Sequence, residues 1–380
     1  MNLPHTPCAL AVYLCFFASV MTQAESLVYE GEEGIGTGKH IVFIANDHEY
    51  RSEQSCPLLA KILAKHHGFK CTVLFGINDD GFIHPGAKNL PGMSALEDAD
   101  LVFFFTRFMN LPDDQVQPLV DYLERGGPIV GVRTSTHCFN GQKGQWAKLN
   151  FNYKGDDYSG GLGKQVFGNT WEKERGQSHY GKNHVMGCSI VANAMAGDHP
   201  MLRGVGQVHA YSGAYKSQPP ADATPLMDVL VLNTFGPSDE RNDEKPPVCG
   251  AWTRSQYVAP SGNTRSARSV YASFGASEDM IDESTRRFYV NACLWSLGME
   301  AVITPNLDVA IVGGYVPTPY NSQAFYYGSV RPEDLAAWDS VIMPDLKTLV
   351  GLDRSRNRQA VFQSRPEFLS RLVELELIAE

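Results

Sequence analysis

From Lys39 onward the chain alternates short, unbroken apolar runs with longer stretches in which apolar residues return every three or four positions. The runs are His40 to Ala45, Cys71 to Phe75, Leu101 to Phe105 and Ile129 to Val132. Unbroken runs of this length predict strands buried on both faces, as in a parallel sheet covered by helices. Between the first two, Cys56 to His67 predicts a helix. Leu58, Leu59, Ile62 and Leu63 share a face, Ser55 can cap the start, Pro57 suits the first turn and Gly68 can close the end. Asp113 to Arg125 predicts another, with acidic residues in its first turn and Gly126 after its last. The order strand, helix, strand, loop, strand, helix, strand predicts an α/β fold built on a doubly wound, mostly parallel sheet.

The second half is less regular. Ser189 to Ala194, Asp228 to Asn233, Val248 to Thr253 and Ser269 to Phe274 predict further strands. Glu283 to Leu297 predicts a helix with Phe288, Val290, Leu294 and Leu297 on its apolar face and Gly298 after it. Two stretches carry no period. Gly76 to Pro91 is rich in Gly, Asn, Asp and Pro and predicts a surface loop. Asn150 to Gly187 is polar and aromatic and contains Gly160-Gly161-Leu162-Gly163, which lacks the Lys-Ser/Thr ending of a phosphate loop and reads as a flexible piece. Beyond Gly298 the chain predicts a C-terminal extension, residues 300–380, ending in a short amphipathic helix at Arg365 to Glu380. It is too small for a core of its own and should pack on the main domain or on a second subunit as a homo-oligomer.

In a doubly wound sheet, ligands bind just beyond the carboxyl ends of the strands. Three predicted strands deliver polar residues there: Asp47, His48, Glu49 and Tyr50 after the first, Arg107 after the third, and Arg133, Thr134, Ser135, Thr136 and His137 after the fourth. Together they would form a pocket with imidazoles, carboxylates and fixed cations, suited to binding and polarising hydroxyl or carbonyl oxygens. His48 is a candidate acid or base, or else a loop histidine capping the next helix. Arg133 is a candidate for holding an oxyanion, or else a structural ion pair with Asp47 or Glu49. His137 could pair with Arg133 or with substrate, or pack a helix. His48, His137 and His179, from separate segments, could hold a divalent metal ion, the one cofactor these residues leave open; His184 has no metal spacing to His179. Cys138 adjoins His137, but neighbours on a helix point apart, so they cannot serve as nucleophile and base. Trp146, Tyr153, Tyr158, Trp171 and Tyr180 could stack on sugar rings.

Composition narrows the ligand class. The 380 residues are 43% hydrophobic and 19% charged, and the net charge of -10 with no Lys/Arg cluster argues against nucleic acid. Ala9 to Val20 is apolar but too short to cross a bilayer, and Thr22-Gln23-Ala24 resembles a small-residue cleavage site. Residues 1–24 therefore predict a secretory signal, residues 25–299 the main domain, and a periplasmic or secreted mature protein without a stable membrane span. Its n-region lacks Lys and Arg, so an uncleaved anchor stays open. The cysteines beyond Cys8 and Cys15 show no CxxC spacing and read as buried free thiols.

Five motifs, in order, resemble the trehalose-utilisation (ThuA-like) family, whose fold is similar to class I glutamine amidotransferases within the flavodoxin-like group. They are Asn46-Asp-His-Glu-Tyr50, Gly126-Gly-Pro-Ile-Val-Gly-Val132 with its polar turn, Asp198-His-Pro-Met-Leu-Arg-Gly204, Ala251-Trp-Thr-Arg254, and Arg286-Arg-Phe-Tyr-Val-Asn-Ala292 followed after Cys293 by Leu-Trp-Ser-Leu-Gly298. The resemblance spans residues 40–298. It implies carbohydrate metabolism, with action on a disaccharide or keto-sugar derivative, and adds Arg254 to the substrate-binding candidates Asp47, Glu49, Tyr50, Arg107, Thr134 and Thr136. It also implies no glutaminase activity, because Arg133 stands where amidotransferases of this fold carry their nucleophilic cysteine. Gly275-Ala276 replaces the Gly-His of many relatives, and no downstream His-x-Glu pair completes a triad. A non-catalytic sugar-binding or partner-binding protein would use the same aromatic residues.

Overall fold

The computed structural model describes residues 26–171, 178–180, 187–234, 240–318 and 330–342. The predicted signal at 1–24, His184 and the helix predicted at 365–380 lie outside them. The strands are β1 (Leu27–Tyr29), β2 (His40–Asn46), β3 (Lys70–Phe75), β4 (Leu101–Thr106), β5 (Ile129–Val132), β6 (Ser178–Tyr180), β7 (Cys188–Ala192), β8 (Val208–Ala210), β9 (Ala214–Lys216), β10 (Thr224–Val231), β11 (Val248–Arg254), β12 (Tyr257–Val258), β13 (Thr264–Arg265) and β14 (Ser269–Ala272). The helices are α1 (Ser52–His67), α2 (Asp113–Glu124) and α3 (Glu283–Ser296). Ten strands form one sheet in the order β1-β3-β2-β4-β5-β14-β11-β10-β7-β8. Its centre, β3-β2-β4-β5-β14, is parallel, while β1 and the β11-β10-β7-β8 wing pair antiparallel.

Period-two alternation of the central strands builds two cores. Ile41, Phe43, Ala45, Phe103 and Val130 join the residues under α1 and α3, including Leu59, Leu63, Phe288 and Leu294. Val42, Ile44, Val102, Phe104 and Ile129 join the opposite core with Val116, Leu119 and Leu123 of α2. Helices therefore cover both faces, which is the doubly wound arrangement. Each fully buried Leu, Ile or Phe contributes about 1.5–3 kcal/mol, so neither face could stay bare.

Helix α1 starts earlier than its apolar pattern. Ser52, Glu53, Gln54 and Ser55 are polar and precede the predicted start at Cys56, yet all are buried. Ser55 is not the cap; the helix follows Arg51, which sits in the left-handed region at φ 65 without a side-chain cap. The polar residues are held from elsewhere: the Asp47 amide donates to Ser52 Oγ (2.8 Å), and Gln54 donates to the Val316 carbonyl (3.0 Å). Gly68 closes the helix as expected, and Asp282 caps α3 by accepting from the Ser284 amide.

The described part of the extension packs along α1. Gln54 Oε1 accepts from Thr318, Lys61 Nζ donates to the Trp338 and Ser340 carbonyls (3.3 and 2.9 Å), and His66 and His67 donate to the carbonyls of Ala310 and Asp308 (3.0 and 2.7 Å). Trp338 stacks on Tyr29, and Lys65 lies over its ring. Among the described residues no helix is long and apolar enough to cross a membrane.

Candidate functional site

Register brings three strand exits together. Asn46 of β2 lies beside Thr106 of β4, and Phe104 of β4 beside Gly131 of β5. The residues that follow, Asp47 to Tyr50, Arg107, and Arg133 to His137, share one edge of the sheet. At the β5 exit the chain turns sharply. Arg133 has φ 44, a conformation rare for a long side chain, and Arg133–His137 forms a 3-10 turn. Ser135 Oγ holds the turn by accepting from the Val132 amide (3.1 Å) and donating to the Phe104 carbonyl (2.5 Å). Gly163 lies directly against it: a Cβ there would fall 2.0 Å from the Thr136 carbonyl oxygen. The glycine-rich piece is thus a packing surface for the turn rather than a flexible linker.

Asp47 ties two exits together. One oxygen accepts from the amides of Glu49 (2.8 Å) and Tyr50, the other from Thr134 Oγ1 (2.6 Å), and the residue is fully buried. Asp47 and Thr134 consequently latch β2 to β5 and offer no free group to a ligand, contrary to the substrate-binding expectation for them.

Arg133 is also turned inward. Its guanidinium donates to the carbonyls of Gly213 (2.6 Å), Ser273 (3.0 Å) and Ser212 (3.4 Å) and lies between the rings of Tyr50 (3.8 Å) and Tyr215 (4.9 Å). Arg133 and Tyr50 are both fully buried. The side chain acts as a cationic plug for two loops, the β8–β9 turn and the β14 exit, with no part of it at the surface to meet an oxyanion. Neither alternative ion-pair partner is used, since Asp47 is engaged with Thr134 and Glu49 pairs with Arg107.

A more open group lies above this floor. Arg107 Nε pairs with Glu49 (3.0 Å), and Arg107 Nη1 meets His48 Nε2 at 2.6 Å. A guanidinium can only donate, so His48 Nε2 accepts and the ring proton resides on Nδ1. Nδ1 is buried without a partner among the described residues. The ring leans on Gly86, whose φ of 84 suits glycine and where a Cβ would stand 3.0 Å from His48 Nδ1. Burial lowers the pKa of His48, and Arg107 and Arg51 add to the effect against the pull of Asp47.

His137 borders the same group. Its Nδ1 lies 3.2 Å from Thr136 Oγ1, and its ring is packed by Phe108 (5.4 Å), Phe151 (6.4 Å), Trp171 (5.0 Å) and Tyr215 (6.2 Å). His179 sits edge-on to Trp171 (5.0 Å) and Tyr215 (5.6 Å). Burial pushes the His137 pKa well below the usual histidine range, with Arg107, His179, Arg133 and His48 adding to it. The His179 pKa falls to about 4, from burial and then the charges of Arg133 and Arg107. At neutral pH the three imidazoles are therefore uncharged beside fixed cations. Among the described residues no three His, Cys, Asp or Glu side chains form a metal-binding group. With the His48 Nε2 lone pair taken by Arg107, the set His48, His137 and His179 does not fit a divalent ion in this arrangement.

The architecture is similar to two ThuA-like proteins of known structure. One, from Bacteroides uniformis, shares 14% identity over 74% of this chain and 100% of its own, with a TM-score of 0.41. The other, from Parabacteroides merdae, shares 14% identity over 76% of this chain and 98% of its own, with a TM-score of 0.42. It is also similar to the glutaminase domain of the Trypanosoma brucei CTPS, solved with bound acivicin, at 13% identity over 71% of this chain and 98% of that one, with a TM-score of 0.35. No protein-family profile and no curated protein matches the chain.

Two further expectations are resolved by position. Arg254 ends β11, where it pairs with Ser269 at the start of β14, which in turn lies beside Ile129 at the start of β5. It is thus at the opposite edge of the sheet, spent on Asp222 (3.0 Å) and on the carbonyls of Gln165 and Val166, and it is not a substrate-binding residue of this site. Cys138 is buried, and burial pushes its thiol well above the ordinary range, so it is inert as a nucleophile. Of the aromatic loop candidates, Trp171 joins the site, while Tyr158 and Tyr180 are buried and donate to the Val258 and Pro246 carbonyls. Phe108, Phe151 and Tyr215 were not anticipated. Phe108 follows Arg107 and could have been inferred with it, whereas Phe151 and Tyr215 lie in stretches with no periodic signal.

Proposed function

We propose that this protein is an acid–base enzyme acting on an uncharged sugar derivative that bears a carbonyl, of the disaccharide or keto-sugar class, and that it hydrolyses no glutamine. The observation that carries the reading is the group of three uncharged imidazoles, His48, His137 and His179, around the Arg107–Glu49 pair. Arg107 can polarise a carbonyl oxygen, and an uncharged imidazole can take the proton beside that carbonyl. His48 becomes a base only when a substrate oxygen draws Arg107 off Nε2, which would couple binding to the release of the proton acceptor. Isomerisation, or elimination of the glycosidic partner, follows from such a proton abstraction without a covalent nucleophile. The rings of Phe151 and Trp171 suit the faces of a sugar, and the motif resemblance supports the substrate class. With Arg133 at the elbow and Cys138 buried, no thiolate is available for glutamine. Export to the periplasm or beyond is part of the same proposal and rests on the pattern of residues 1–24.

The test is an NMR screen of the purified protein against glucosides and their 3-keto forms, with and without chelator. Chelator-insensitive turnover that falls at least about tenfold in His48→Gln and His137→Gln supports the reading. Chelator-sensitive turnover would overturn the metal-free chemistry. The second reading, a sugar-binding protein without catalysis, is favoured by the occupied lone pair of His48, and it prevails if a keto sugar binds but is never converted.

A further inference from the structure

We propose that Phe108 is a positioning residue, held in an unfavourable backbone conformation so that its ring presses Arg107 into simultaneous contact with His48 and Glu49. Phe108 has φ 50, in the left-handed region that bulky side chains avoid. Such a residue persists only where its surroundings hold it, and such sites cluster where function needs a fixed geometry. Here the hold is explicit. The Phe108 amide donates to the His137 carbonyl (3.1 Å) and the Met109 amide to the Cys138 carbonyl (2.5 Å), zipping the β4 exit to the β5 exit. An extended residue at 108 would break that seam.

The conformation puts the ring in a stack. The Arg107 guanidinium carbon lies 4.0 Å from the Phe108 ring centroid, Phe151 stacks at 5.3 Å and His137 meets Phe108 edge-on at 5.4 Å. An arginine side chain has many rotamers, and a flat ring against its guanidinium removes most of them. What is left directs Nη1 at His48 and brings the guanidinium into an ion pair with Glu49. The titratable and charged groups facing His48 are then Asp47, Glu49 and Arg51 of its own turn, Arg107 of the β4 exit and His137 of the β5 turn. Of these, Arg107 alone is seen to donate to the ring, so its placement selects the Nδ1–H tautomer.

The inference deepens the proposed acid–base reading, but its decisive readout needs no substrate. Nitrogen-15 shifts of the His48 ring report the tautomer. In the wild type they should show Nε2 as acceptor and Nδ1 protonated. Phe108→Leu keeps the strain and removes the ring, whereas Phe108→Gly removes both, so the two cannot fail to fold for the same reason. Both should release Arg107, shift His48 toward the Nε2–H tautomer and raise its titration midpoint. Phe108→Tyr should restore the wild-type shifts. Phe151→Leu, which thins the same stack without touching Arg107, should leave the tautomer unchanged. Where a keto-sugar substrate turns over, Phe108→Leu should cut kcat/KM about 10²-fold, mostly in kcat. Wild-type His48 shifts in both ring-less variants would overturn the proposal, as would an equal change in Phe151→Leu. A tautomer change in a protein that converts no sugar would leave Phe108 as the positioning residue and sink only the enzymatic reading.

Discussion

Replacing Arg133 with methionine separates a structural cation from a substrate-binding one. The guanidinium donates to three backbone carbonyls, of Gly213, Ser273 and Ser212, and is sandwiched between Tyr50 and Tyr215. Methionine fills much of the space but leaves those carbonyls unpaired, at about 1–3 kcal/mol each. It also strips a counter-charge from Asp279, a buried carboxyl whose pKa burial already pushes up to about 6 with Arg133 opposing. Against this, removing a buried cation recovers its own desolvation cost, so the net loss should be about 3–5 kcal/mol. With an unfolding entropy of about 2.1 cal/mol/K per residue over 380 residues, that loss lowers Tm by roughly 4–6 °C. Scanning calorimetry with a parallel urea titration at fixed m measures it. A variant that melts within about 1 °C of the wild type but no longer binds or turns over sugar would refute the inward plug and return Arg133 to the ligand.

Other groups make their own predictions. Glu53 is fully buried and its pKa is raised from 4.5 to about 7, mainly by burial. The unfolded chain therefore releases this proton first, and stability should fall by about 3 kcal/mol as pH rises from 4.5 to about 7; urea midpoints of Glu53→Gln should lack that slope. His179 works in the opposite direction, because its pKa is lowered from 6.5 to about 4. Its contribution is complete above pH 6.5 and is lost as pH falls toward 4, modestly since Trp171 and Tyr215 shield the ring only in part from solvent, and His179→Gln should flatten that limb. Cys138→Ser should keep wild-type turnover, and native protein should resist iodoacetamide at this thiol; rapid alkylation on peptide mapping would contradict its burial. Gly163→Ala would drive a methyl into the Thr136 carbonyl, which is backbone and cannot yield. A loss above about 4 kcal/mol by urea unfolding is expected, and wild-type stability would show that the turn can shift.

The central strands and the edge carrying the site were legible because unbroken apolar runs leave few other structures, and polar residues at their ends have only one place to go. The direction a side chain takes from that edge was not legible. Arg133 and Arg107 both end apolar runs, yet one points into the fold because Gly213, Ser273 and two tyrosines far along the chain complete a nest for it. Arg254 entered through the motif resemblance, and the apolar run before it carries no sign that β11 runs against the central strands. The start of α1 was hidden because Ser52 to Ser55 are buried through partners such as Val316 and Thr318, more than 260 residues away. Strand β1, three residues long, is too short for any period to show.

The extension that runs along α1 is gripped by its carbonyl oxygens, through Gln54, Lys61, His66 and His67 and, from α3, through Arg286 and Arg287 on the carbonyls of Val309 and Leu307, and by buried side chains, among them Val309, Tyr315, Val316 and Thr318. A carbonyl is the one part of a residue that substitution leaves in place. The carbonyl part of the fastening is therefore indifferent to the spelling of the extension and demanding only of its path. Substitutions at exposed Asp308 and Ala310 can accumulate at little cost, those at buried Val309, Tyr315, Val316 and Thr318 cannot, and a one-residue insertion or deletion would misalign the clasps at once. Part of the information that secures this tail is written in the helices beneath it.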